Sequence, residues 1–340
     1  MGGDRAARPL EGSSGGRWVC LDWLLVPPTF CRHNRFLENC PICREAERPA
    51  SARASHPSTP RGRRSAPSSR ASQRAVRVRR VEQAADDGYR SELAPGVRAT
   101  ADAERLADEL AFAAARLEEL ENDPPGVFAD IAAQPDAEEA LWLAFLTAYL
   151  SPTEGEDPFA GIRAAHVPWS SGELPALDVE VGPRSSFDPA AGERTVLAYR
   201  AWAERAGGQA TAFAGEPAWT PERRFERLFE RLALPGLGRA GRYELLVMLG
   251  CLGTVAVRPS SLQLTDDATT VAAKRVFGIG DKMLLERRAR DLAQAAHLPI
   301  EALDLGLFNW AATGTGSARL GARAAVPKAL RESAATALGI

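Results

Sequence analysis

Cys31, His33, Cys40 and Cys43 stand close together, as Cys31-Arg-His33, six residues, then Cys40-Pro-Ile-Cys43. A Cys-x-x-Cys pair fits a tight turn that aims two thiolates at one metal, and a mixed set of four Cys and His suits tetrahedral zinc. Four protein ligands leave no open coordination position, so the Zn2+ expected here is structural. Cys20 remains an alternative to His33 as the fourth ligand. Without a metal, residues 18–45 are too few to bury a core of their own. Met1–Arg17 is Gly-rich and has no apolar core, unlike a secretory signal, so a cytoplasmic, nucleoid-associated location is expected and disulfides are disfavoured. Cys251 lies in an apolar run and reads as an inert core thiol.

Two glycine pairs carry a different chemistry. Leu234-Pro-Gly236-Leu237-Gly238-Arg239-Ala240 and Val276-Phe-Gly278-Ile-Gly280-Asp-Lys282 each separate two amphipathic segments. Glycines flanking one apolar residue between helices form the pattern of a helix–hairpin–helix. The glycines permit a tight turn, the central Leu or Ile pins it to the core, and the free N–H groups at the next helix start can hold a phosphate. Gly236, Leu237, Gly238 and Arg239 are therefore the expected phosphate grip, with Gly278, Gly280 and Lys282 as a second. A Gly-x-Gly alone often only ends a helix, and the Pro before Gly236 makes the first the stronger of the two.

Beyond the first turn, Asp266-Asp267 precedes the apolar segment Ala268–Val276. Leu234–Gly238, the helix after it, and Asp266-Asp267 with Ala268–Val276 resemble the core of the helix–hairpin–helix DNA glycosylase superfamily. Ala140–Leu150 followed by Ser151-Pro152-Thr153 resembles the opening helix of that fold. More narrowly, residues from about 77 to the end resemble the alpha-glutamyl/putrescinyl thymine pyrophosphorylase clade 3 branch. The strings that carry this are Asp123-Pro-Pro-Gly126, Ala140–Leu150 and Asp266–Asp281 with its Lys274-Arg-Val-Phe-Gly278.

The resemblance implies an all-α, glycosylase-like body acting on a base or modified thymine in DNA. It also implies an essential Asp at the start of the helix after the turn. Cleaving an N-glycosidic bond passes through a sugar cation, and a fixed carboxylate beside that charge stabilises it. A helix N-terminus keeps such a carboxylate ionised. Asp267 fits best and Asp266 is the close second, while the plainer reading makes either one a helix cap worth about 1 kcal/mol. An Asp267 side chain buried in a salt bridge, or pointing away from Gly236–Gly238, would end the catalytic reading and leave a noncatalytic DNA-binding reading ahead. Lyase-competent members place a Lys two residues after the second Gly; here Ala240 stands there, so no Schiff base is implied. The second turn offers Lys282 with Asp304 downstream as a rival register, ranked lower because Asp304 falls within the apolar segment Leu303–Trp310. The other class of function is a noncatalytic DNA-binding protein whose zinc module, Arg-rich arm and turns serve only as phosphate grips.

These residues need a scaffold, and the remaining sequence describes one. The 340 residues carry a formal charge of −2 with 45% apolar and 25% charged residues, the balance of a globular protein. That charge is unevenly spread. The first 80 residues hold sixteen Arg against six acids, which leaves the remainder near −12. Such a body repels DNA unless its charge is segregated, and the arm up to residue 80 could compensate. The chain divides into a zinc-binding module (18–45), a basic linker (46–74) whose composition predicts disorder, and a helical domain (75–340). Ala75–Val81 alternates like one short strand. Helices are expected at Asp102–Glu121, Ala137–Leu150 after an Asp136 cap, Asp157–Ala164 and Glu193–Ala206. Further ones are expected at Pro221–Ala233 after Thr220, Ala240–Leu252, Ala268–Val276, Lys282–Ala296, Pro299–Ala312 and Pro327–Leu338. The irregular stretch 166–190 carries Trp169 and Phe187, candidate wedges for base flipping. The longest uncharged apolar run, Leu245–Val257, is too short to span a bilayer, so no membrane partner is expected.

Overall fold

The computed structural model describes residues 84–312 and 317–340, all within the second of the two units into which the chain divides, Val76–Ile340. The zinc ligands, the Arg-rich linker and the expected strand at 75–81 lie outside the described residues. Among those described, the protein is all-α, without a strand. Its helices are α1 (Thr100–Asn122), α2 (Val127–Ala133), α3 (Ala137–Leu150), α4 (Ala160–Ala165), α5 (Gly192–Arg205) and α6 (Gln209–Ala214). They continue with α7 (Pro221–Arg231), α8 (Arg239–Cys251), α9 (Ala268–Phe277), α10 (Lys282–Ala295), α11 (Ala302–Ala311) and α12 (Lys328–Leu338). None is long and apolar enough to cross a membrane.

Two helices form the axis of the core. The sequence of α3, Ala-Glu-Glu-Ala-Leu-Trp-Leu-Ala-Phe-Leu-Thr-Ala-Tyr-Leu, is apolar on every side beyond its first turn, and a helix of that kind has to be surrounded. It is: α2, α4, α6 and α8 all pack on it. Its aromatic residues continue into α5, where the Phe145 and Tyr199 rings stack with centroids 3.8 Å apart. On the other side α1 buries Leu106, Leu110, Leu117 and Leu120 against α8, α11 and α12. The two halves therefore share α8.

Polar groups near helix ends fix the path of the chain. Asp136 caps α3 by accepting from the Glu138 N–H at 2.9 Å. Glu138 in turn accepts the N–H groups of Gln209 and Ala210, both at 2.8 Å, and so caps α6 from another element. The Thr220 hydroxyl caps α7, with Pro221 in its first turn. Helices α2 and α6 are absent from the sequence expectation, and α4 begins at Ala160 rather than Asp157 because Pro158 and Phe159 form a turn on the Asp157 carboxylate.

Candidate functional site

The Gly236–Gly238 turn joins α7 to α8. Leu237 donates its N–H to the Leu234 carbonyl at 3.1 Å and buries its side chain in the core. Gly236 has φ +78°, and a Cβ there would lie 2.0 Å from Thr195 Oγ1 on α5, so only glycine fits. Gly238 starts α8 with no side-chain cap, which leaves the first-turn N–H groups without partners inside the helix. The tip, Pro235, Gly236 and Gly238, is exposed.

Arg239 follows at once, and its place corrects the sequence expectation. Instead of reaching out to a phosphate, its side chain is 1% exposed. Nη1 donates to Asp304 Oδ1 and, at 3.3 Å, to Asp267 Oδ2; Nη2 donates to the Leu262 carbonyl and Nε to that of Gln263. The guanidinium also lies 4.5 Å from the centre of the Tyr243 ring. A charge so fully used has nothing left for a ligand.

Asp304, in the first turn of α11, is the other centre of this network. Arg184 Nη2 donates to its Oδ2 at 2.6 Å, and both side chains are almost wholly buried. Burial alone would raise the Asp304 carboxyl, but Arg184 and Arg239 hold it below the usual carboxylate range. Arg239 is raised in turn: burial works against its charge, and Asp304 and Asp267 outweigh it. The rival register fails on the same geometry. Lys282 is exposed at the start of α10, while Asp304 is sealed between two arginines.

Asp267 is the N-cap of α9. Its Oδ1 accepts from the Thr270 N–H at 2.9 Å and the Thr270 hydroxyl at 2.7 Å, and its Oδ2 faces Arg239. Its side chain keeps 19% exposure. The twelve residues from Thr254 to Thr265 thus bring it back to the end of α8 where the Gly236–Gly238 turn lies. Glu286 of α10 steadies that return by accepting the N–H groups of Leu262 and Leu264 at 2.8 and 2.7 Å. Asp267 therefore meets part of each expectation: it is ion-paired like a structural carboxylate, and it is partly open beside the turn like a catalytic one. Asp266 is exposed and has no hydrogen-bond or ion-pair partner among the described residues.

The second turn differs at its helix start. Gly278 ends α9 in the left-handed conformation at φ +63°, and Asp281 caps α10 by accepting from the Leu284 N–H at 2.9 Å. A carboxylate beside the expected grip of Gly278, Gly280 and Lys282 takes one of the N–H groups there and disfavours a phosphate by its charge. The wedge candidates are also committed to packing. Trp169 lies between Trp142, at 5.4 Å, and the Arg200 guanidinium, at 4.5 Å. Phe187 packs edge-on against Tyr149. Segments 151–157 and 166–190 do line a cavity of about 460 Å³, including Thr153, Asp157 and Glu180, but neither Asp266 nor Asp267 lines it.

Comparison with known proteins adds one finding. The family model described as alpha-glutamyl/putrescinyl thymine pyrophosphorylase clade 3 matches residues 185–313. The matched stretch contains both turns, Arg239, Asp266, Asp267 and Asp304, and leaves out α1 to α4, so it is narrower than the resemblance drawn from residue 77 onward. No curated protein and no solved structure matches the chain.

Sequence reasoning missed Arg184, Thr195 and Glu286. One signal was present: Asp304 in an otherwise apolar segment has to find a buried cation.

Proposed function

We propose that the helical unit is an enzyme of modified-thymine metabolism acting on DNA, with a monofunctional, glycosylase-like mechanism. The reading is supported by the match over 185–313, which names a thymine pyrophosphorylase. The observation that carries it is the position of Asp267, whose side chain keeps 19% exposure at the same end of α8 as an uncapped, exposed glycine turn. In this mechanism the backbone of Gly236–Gly238 holds a DNA phosphate. Asp267, fixed by Thr270 and Arg239, stabilises positive charge developing on the sugar. Ala240 supplies no amine, so no covalent enzyme–sugar intermediate forms there.

The second reading, a noncatalytic DNA-binding protein, is favoured by the fact that both Asp267 oxygens already have partners. Asp267→Asn separates the two. Asn is as good an N-cap as Asp, so the fold is kept. Turnover on duplex DNA carrying putrescinyl- or α-glutamyl-thymine, followed by mass spectrometry, should fall by roughly 10²–10³. DNA affinity by fluorescence anisotropy should hold or rise, because a negative charge near phosphates is gone. Turnover by wild-type protein that survives Asp267→Asn and Asp266→Asn would remove the catalytic assignment.

We also propose that the N-terminal segment holds one structural zinc on Cys31, His33, Cys40 and Cys43. Elemental analysis of intact protein should find about one zinc per chain, lost in Cys40→Ser or Cys43→Ser, since four ligands complete the tetrahedral site.

A further inference from the structure

A base in a stacked duplex has to be drawn out before its bond to the sugar can be reached. An apolar side chain inserted between base steps kinks the duplex and loosens the stack. Trp169 and Phe187 are packed against other aromatic rings and do not supply it. Met283 does stand free: at 82% exposure it is the most open large apolar side chain among the described residues. It lies in the first turn of α10, directly after the second glycine turn, with Lys282 exposed before it and Leu284 exposed after it.

Two observations tie this tip to DNA. The first is charge. Residues 84–219 carry nine basic side chains against twenty-five acidic ones, whereas residues 220–340 carry seventeen against twelve. A polyanion is repelled by the first stretch and admitted by the second. Two of the three lysines of the chain, Lys274 and Lys282, stand exposed on α9 and α10 with no ion-pair partner among the described residues. The second is continuity with the proposed catalytic end. Ala268, Val271 and Lys274 are exposed at intervals of three residues, so they form one stripe along α9, free of acids, that starts beside Asp267 and leads to Gly278. The ten residues of α9 span about 15 Å, or about four base steps of about 3.4 Å each.

We propose that Met283 is a wedge that enters the base stack about four steps from the nucleotide held at Asp267, while Lys274 meets the phosphate chain between them. The inference rests on the DNA-acting reading and adds a division of labour between the two turns. Gly236–Gly238 holds a phosphate through its N–H groups. The second turn, where Asp281 disfavours a phosphate, presents an apolar side chain to the bases instead. Contact with base faces needs no anion grip at the turn itself.

The test uses full-length protein and a duplex carrying putrescinyl-thymine at one position. 2-Aminopurine, which brightens when unstacked, is placed at single positions stepped away from it. Wild-type protein should bind and brighten the probe about four steps from the modified thymine. Met283→Gln, polar at the same length, should lose that signal and bind about tenfold more weakly, the order expected for withdrawing a Met side chain from apolar contact. The slope of log K against log salt should not move, because no charge is removed. Met283→Leu, which stays apolar, should keep both signal and affinity. Lys274→Gln should instead lower the slope by about 0.9 and keep the signal. Met283 is exposed, so both of its variants should match wild type in helical circular dichroism and melting temperature. Wild-type brightening and affinity in Met283→Gln overturn the wedge and leave the DNA reading standing. So does a wild-type complex that brightens no probe away from the modified thymine. Wild-type protein that fails to bind the duplex at low salt overturns both.

Discussion

The Gly236-Leu237-Gly238 and Gly278-Ile279-Gly280 turns each join two helices and each lay their central apolar residue against the core. Their electrostatics are nonetheless opposite. In the first, Gly238 is itself the N-cap, so α8 begins without a capping side chain. In the second, the helix starts one residue later in the motif, and Asp281 becomes the cap. The first turn keeps its helix dipole available and is anchored from behind by Arg239, Asp304 and Arg184. The second satisfies one of its N–H groups, that of Leu284, with its own carboxylate, and among the described residues no buried ion pair anchors it. Glycine spacing sets the path of the chain; the residue at the N-cap decides whether an anion site remains.

The largest expected effect falls on the anchor of the first turn. Asp304→Asn leaves Arg239 and Arg184 buried without their common partner, and breaking a buried pair in this way costs about 3–5 kcal/mol. Thermal or urea unfolding of the helical unit measures it. The pH dependence should follow. Because the Asp304 carboxyl is held below its ordinary value, its contribution is fully present above the unfolded value of about 3.9 and is lost as pH falls through the folded value. Wild-type protein should lose this increment on acidification, and Asp304→Asn should not. A variant as stable as wild type would mean that the buried network does not support the turn.

Matched glycine substitutions sharpen the contrast. Gly236→Ala forces a side chain into the left-handed region and against Thr195, a cost of about 2–4 kcal/mol from conformation and overpacking together. Gly280→Ala meets nothing within 4 Å and needs no positive φ, so it should shift stability by about 0.5 kcal/mol or less. Equal losses at the two positions, measured by chemical unfolding, would show that the second turn is as constrained as the first.

Most of this fold could be read from local signals. The caps at Asp136 and Thr220, the apolar sequence of α3 and the glycine breaks place ten of the twelve described helices. The two that were missed, α2 and α6, follow Gly126 and Gly208, which read as breakers. Tertiary groups hold them: Phe128 packs edge-on against Phe159, and Glu138 caps α6 from a helix far away in sequence. The candidate site shows the same division. Asp267 as the cap of α9 depends on neighbours within three residues and was legible. Arg239 was assigned to a phosphate because its partners, Asp267 and Asp304, lie 28 and 65 residues away, and no local pattern distinguishes a buried arginine from an exposed one.

The smallest expected effect tests whether charge alone separates the two turns. Asp281→Asn keeps an oxygen that can accept from the Leu284 N–H, and Asn and Asp are equivalent N-caps, so stability should change by no more than a few tenths of a kcal/mol. What changes is the field at the start of α10. With the carboxylate gone, the positive end of the helix faces solvent beside Lys282 and the exposed Gly280. On the DNA-binding reading, nonspecific affinity should then rise severalfold at low salt. The slope of log K against log salt should steepen by up to about 0.9, the value for one added phosphate contact. Asp281→Ala is the control, because it removes the charge and also the cap, at a cost near 1 kcal/mol. If the Asn variant binds duplex DNA with unchanged affinity and slope while Gly236→Ala weakens binding, the capping carboxylate is not what silences the second turn. The difference would then lie in the backbone paths themselves, with α8 beginning directly after its second glycine and α10 beginning one residue further on.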